Sequence, residues 1–104
     1  MPPGLGKKLF SGQAQVQGAW YACLHNGIDL TGDSFLLMYD YANLRDVLFD
    51  NITSSIEIPT GAGYSSYYTD PDYAGISWAF YTTKTDLRPY GLDNVISSVR
   101  RGYY

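Results

Sequence analysis

Two hexapeptides of one pattern, Asp-Asn-x-x-Ser-Ser, stand at 50–55 and 93–98. Each gathers a carboxylate, an amide, hydroxyls and backbone carbonyls, the oxygen types that a hard cation such as Ca2+ takes as ligands. A single copy reads better as ordinary turn chemistry, with Asp-Asn bending the chain and Ser-Ser beginning a strand. Two copies in register ask for more than a turn does. The other reactive constellations are thinner. Cys23 and His25 lie two apart on an extended run, so they share a face and offer a thiol–imidazole pair. Core or hairpin packing is the commoner use of such residues, and one His with one Cys falls short of a zinc set. Asp70 and Asp72 have the types of a glycosidase pair, but they flank Pro71 in a turn, where solvated residues are expected. Gly61-Ala62-Gly63 lacks the Lys and the helix of a phosphate-cradling loop. The chain is expected to have no catalytic role.

The elements that hold these residues come from a duplication. Shifted by 43 positions, the chain matches itself without a gap, with nine identities over the 28 positions 29–56 and 72–99. Asp29, Gly32, Ser34, Leu44, Arg45, Asp50, Asn51, Ser54 and Ser55 fall on their own kind. Each copy reads as strands: 20–25 and 64–68, then 34–38 and 77–81, then 52–58 and 95–99. Leu44, Val47 and Leu48 at i, i+3, i+4 predict one or two helical turns packed on the sheet. Pro89 and Gly91 make the matching segment of the second copy less helical. Gly32 and Gly75 mark a bend that needs positive φ. Ser34 and Ser77 are placed to bond the folded hairpin's backbone, with an aromatic packed over it. The five residues 59–63 are too few to let the copies drift apart. The expectation is an all-β sandwich of two four-stranded Greek-key motifs, motif one at about 18–58 and motif two at about 63–101. They form one domain over 15–104, preceded by a flexible arm at 1–14.

Composition agrees and narrows the partners. The 104 residues are 45% hydrophobic and only 16% charged, with 11 Tyr and 11 Gly, a palette of strands and tight turns. Asp outnumbers Glu nine to one, and Asp suits turns and cation loops where Glu suits helices. A net charge of −3 is the wrong sign for a general nucleic-acid binder, and Lys7-Lys8 and Arg100-Arg101 are too few to make such a surface. No stretch approaches the length of a membrane helix, and nothing at the start reads as a signal peptide. A cytoplasmic protein, or a mature secreted one whose leader was removed, is expected. The lone Cys23 allows no internal disulfide. Tyr64, Tyr67, Tyr90, Tyr103 and Tyr104 offer a sugar- or partner-binding patch, or a homodimer face, although about half of them must face the core.

The pattern Tyr68–x4–Tyr73–x–Gly75–x–Ser77, joined to Asp-Asn-x-x-Ser-Ser and repeated as His25, Leu30, Gly32, Ser34, resembles the βγ-crystallin family in its calcium-binding microbial and invertebrate form. The likeness spans about residues 18–101. It implies a Greek-key sandwich holding two Ca2+ ions, each clamped by both motifs. Carried over, one site uses the Val95 carbonyl, the Ser97 hydroxyl, the Asn51 side chain and the Asn26 carbonyl. The other uses the Ile52 carbonyl, the Ser54 hydroxyl, the Asn94 side chain and the Thr69 carbonyl. Asp50 and Asp93 orient the loops and supply negative charge. Neutral Asn at both side-chain positions implies modest affinity, on the order of 10⁻⁶ to 10⁻⁴ M. The role implied is structural: calcium storage, buffering or stress protection. The alternative is an interaction module on the same fold, of antimicrobial, toxin or inhibitor type, although such domains usually depend on disulfides, or an eye-lens-type structural protein.

Overall fold

The computed structural model describes residues 20–102. The expected arm at 1–14, Lys7-Lys8, Tyr103 and Tyr104 lie outside them. Among the described residues six strands form: β1 (Ala22–Gly27), β2 (Thr31–Leu37), β3 (Ser55–Glu57), β4 (Ser65–Asp70), β5 (Ala74–Phe80) and β6 (Ser98–Arg101). They make two antiparallel three-stranded sheets, ordered β2-β1-β3 and β5-β4-β6. Each sheet belongs to one copy of the repeat. Strand alternation sets the faces: Ala22, Leu24 and Ile56 of the first sheet and Tyr67 and Val99 of the second are buried in a common core with Leu44, Leu87, Leu92 and Ile96.

The fourth strand expected in each motif shrinks to a single bridge, and it crosses over. Tyr41 of motif one pairs with Val99 of β6, and Lys84 of motif two pairs with Ile56 of β3. Both bridges are closed by reciprocal amide–carbonyl bonds of 2.8–2.9 Å. Each sheet is therefore completed by the other motif, which locks the halves together through backbone as well as apolar contact.

The helical turns are of the 3-10 kind. Leu44–Val47 is capped by the Asn43 side chain, which accepts from the Arg45 amide, and it ends at Leu48 with φ 61°. Arg88–Tyr90 ends in the same way at Gly91, φ 71°. Leu44 packs into the core as expected and Val47 is half-buried, but Leu48 is 87% exposed. The i, i+3, i+4 reading assumed 3.6 residues per turn. A tighter turn that stops in the left-handed region directs Leu48 outward instead.

Candidate metal centre

The duplication gives the two ends of the motifs the same backbone. Gly32 and Gly75 both have φ 82°, as the bend required. A Cβ at Gly32 would overlap Asn26 Oδ1, and one at Gly75 would overlap Thr69 Oγ1. Those side-chain oxygens instead accept from the amides of Asp33 (2.9 Å) and Ile76 (3.0 Å), folding each hairpin on itself. In the second hairpin Tyr68 and Tyr73 pack edge to face, centroids 5.7 Å apart. The hydroxyls that tie the hairpins down are not those of Ser34 and Ser77, as expected, but those of the hexapeptides' last serines. Ser55 Oγ donates to the Gly27 carbonyl (2.6 Å) and accepts from the Leu30 amide (3.0 Å). Ser98 Oγ repeats both bonds with Asp70 and Tyr73 at the same distances. Two residues beyond the glycine, the chain has already left the bend for the strand. The sheet register instead sets Ser98 opposite Tyr68 and Ser55 opposite His25.

The hexapeptides bring together the residue pairs that the sequence singled out, across the motif boundary. Ser97 Oγ donates to Asn51 Oδ1 at 3.0 Å, and Ser54 Oγ to Asn94 Oδ1 at 3.2 Å. The loops also exchange backbone bonds: the Asn51 amide donates to the Ile96 carbonyl (3.0 Å) and the Asn94 amide to the Thr53 carbonyl (2.9 Å). Asn51 and Asn94 sit at φ 60° and 58°. Asn tolerates that left-handed conformation better than most residues, so its recurrence has a backbone cause as well as any ligand role. Ile52 and Val95 are half-buried beside these residues in the same loops.

Backbone bonds join each hairpin to its own motif's loop: the Ser54 amide donates to the His25 carbonyl and the Ser97 amide to the Tyr68 carbonyl, both at 2.8 Å. Asn26 and Thr69 are the next residues in the two hairpins.

The donor set fits a hard cation. Oxygens about 3 Å apart match neighbouring ligands on an ion with Ca–O bonds of about 2.4 Å. Asp50 Oδ1 and Asp93 Oδ1, equivalent atoms of the two loops, are buried and have no hydrogen-bond donor. A buried carboxylate oxygen without a donor or cation is costly, and here the same cost occurs twice at matched positions.

The other candidates are also located. Asp70 and Asp72 stand on the exposed hairpin turn. Of the described tyrosines in that set, Tyr67 is fully buried, while Tyr64 and Tyr90 are half-buried. Cys23 and His25 share a face of β1, as alternation required. Burial, with Glu57 beside it, pushes the Cys23 thiol up to about 12. Burial likewise lowers the His25 imidazole, against the opposing pull of Glu57. Among the described residues, no helix is long and apolar enough to cross a membrane.

Comparison with solved structures places this geometry. The chain superposes on a βγ-crystallin from Ciona intestinalis with TM-score 0.71 and 22% identity, over 78% of this chain and 98% of that one. A βγ-crystallin from an archaeon gives 0.70 and 24%, over 82% and 100%. A chain from work on the evolution of the eye-lens βγ-crystallin domain fold gives 0.77 and 20%, over 92% and 95%. No family model matches the sequence, and no curated protein matches it. The chain has the βγ-crystallin fold, as the paired motifs implied.

Proposed function

We propose that this protein is a calcium-binding domain of the βγ-crystallin type with a structural, non-catalytic role. The observation that carries this reading is the twofold meeting of a serine hydroxyl from one motif with an asparagine oxygen from the other. One ion would be held by Asn51 Oδ1, Ser97 Oγ and the Val95 carbonyl, with Asn26 lending its carbonyl. The second would use Asn94 Oδ1, Ser54 Oγ, the Ile52 carbonyl and that of Thr69. Asp50 and Asp93 would supply the charge that the neutral asparagines lack. Each ion would then bridge the two motifs and bind only the folded chain, stabilising it by about 2.7 kcal/mol per site at a hundredfold excess over Kd.

Calorimetric titration of metal-stripped protein with Ca2+, with a thermal melt at each end, tests the reading. Two ions per chain and a melting temperature higher by at least several degrees are expected. Absence of both heat and shift would overturn it.

A further inference from the structure

The face of β1 opposite Ala22 and Leu24 carries a second, chemically different cluster, with Cys23 itself buried. Cys23 and Glu57 are directly opposite each other across β1 and β3, and His25 is two residues along β1 on the same face. Cys23 Sγ, an imidazole nitrogen of His25 and a Glu57 carboxylate oxygen all lie within 4.8 Å of one another. His25 Nε2 is 3.5 Å from Glu57 Oε1, longer than a formed hydrogen bond. Both imidazole nitrogens are buried without a hydrogen-bond partner, although a buried ring normally satisfies at least one. The second motif does not repeat the set: the positions 43 further on are Ser66, Tyr68 and Arg100. The duplicated architecture therefore does not require these three side chains.

We propose that Cys23, His25 and Glu57 form a binding site for a zinc-class divalent metal ion, distinct from the oxygen-lined loops. One thiolate, one imidazole and one carboxylate are the ligand types Zn2+ accepts, and three protein ligands leave a fourth position for water. Tetrahedral bonds of about 2.0–2.3 Å put ligand atoms about 3.4–3.6 Å apart, so the cluster closes by about 1.4 Å at most. His25 Nε2 and Glu57 Oε1 already stand at that separation, 3.5 Å, so the closure falls on the distances to Cys23 Sγ. Binding exchanges the thiol proton for the metal: the S–H bond breaks, the metal–sulfur bond forms, and the proton passes to solvent. The soft thiolate and the imidazole select against Ca2+, so the two metals do not compete.

Cobalt(II) titration of the untagged, metal-stripped full chain, in saturating Ca2+ throughout, tests this. One equivalent is expected to bind with a thiolate-to-metal charge-transfer absorption, and Zn2+ should displace it and abolish the band. Cys23→Ser should remove the band while leaving calcium binding as in the parent. Glu57→Gln, a half-exposed change that spares the core, should weaken zinc binding at least tenfold. Absence of the charge-transfer band in the parent would overturn the site, as would zinc affinity unchanged in both variants. Calcium binding of the parent and of each variant is read in a separate calorimetric titration, so failure of this site and failure of the calcium sites are distinguishable.

Discussion

Replacing Asn51 separates the two reasons for having asparagine there. Its backbone is at φ 60° and its Oδ1 accepts from Ser97 Oγ at 3.0 Å. Asn51→Ala removes the oxygen and also forces an alanine into the left-handed region, which costs about 1–2 kcal/mol on top of a hydrogen bond of about 1 kcal/mol. Asn51→Gly removes the same oxygen at φ 60° without the Cβ penalty, so its calcium-free stability should fall by only about 1 kcal/mol. Calcium adds a separate increment. Two sites at a hundredfold excess over Kd contribute about 5.4 kcal/mol together, and losing one leaves about 2.7 kcal/mol. Urea denaturation with and without Ca2+ reads both quantities, since the difference between the two midpoints cancels the backbone cost. The calcium increment should halve in Asn51→Gly and again in Asn94→Gly, with the calcium-free midpoint of each Gly variant above that of its Ala counterpart. A full calcium increment in both Gly variants would refute the ligand assignment. An Ala variant as stable as its Gly counterpart without calcium would refute the backbone reasoning.

Other consequences are open to direct measurement. Ser98→Ala strands the Asp70 carbonyl and the Tyr73 amide and should cost about 2–4 kcal/mol by chemical denaturation, as should Ser55→Ala at the twin position; losses under half a kcal/mol, ~0.5, in both would contradict that role. Gly32→Ala and Gly75→Ala each place a Cβ at φ 82° against a side-chain oxygen and should destabilise by at least about 1 kcal/mol, whereas Gly61→Ala, with open space around it, isolates the cost of positive φ alone. Burial raises the phenols of Tyr21 and Tyr67 above the ordinary 10.0 and the Cys23 thiol to about 12. The fold favours their neutral forms, so this contribution is complete below pH 9 and is lost as pH rises through the folded values. A phenolate absorbance titration should show Tyr21 and Tyr67 ionising only as far-ultraviolet circular dichroism is lost; a single class of tyrosines titrating in the intact fold would contradict it.

What the sequence determined by itself was local or periodic. The 43-residue register, the positive φ at Gly32 and Gly75, the common face of Cys23 and His25 and the twin Asx loops all follow from preferences that a residue and its near neighbours carry with them. Two copies then imply a pseudo-symmetric sandwich, because neither can bury its apolar face alone. Tertiary structure decided whatever depends on which strand lies beside which. Pairing Tyr41 with Val99 and Lys84 with Ile56 exchanges a bridge between motifs, and no spacing along the chain encodes that exchange. Sheet register gave the hairpin bonds to Ser55 and Ser98. It also set Glu57 against Cys23, 34 positions away, adding a carboxylate to a thiol–imidazole pair that had fallen short of a zinc set. Local conformation is written residue by residue, but contact across strands is set by core packing and backbone pairing, which exist only once the whole chain has folded.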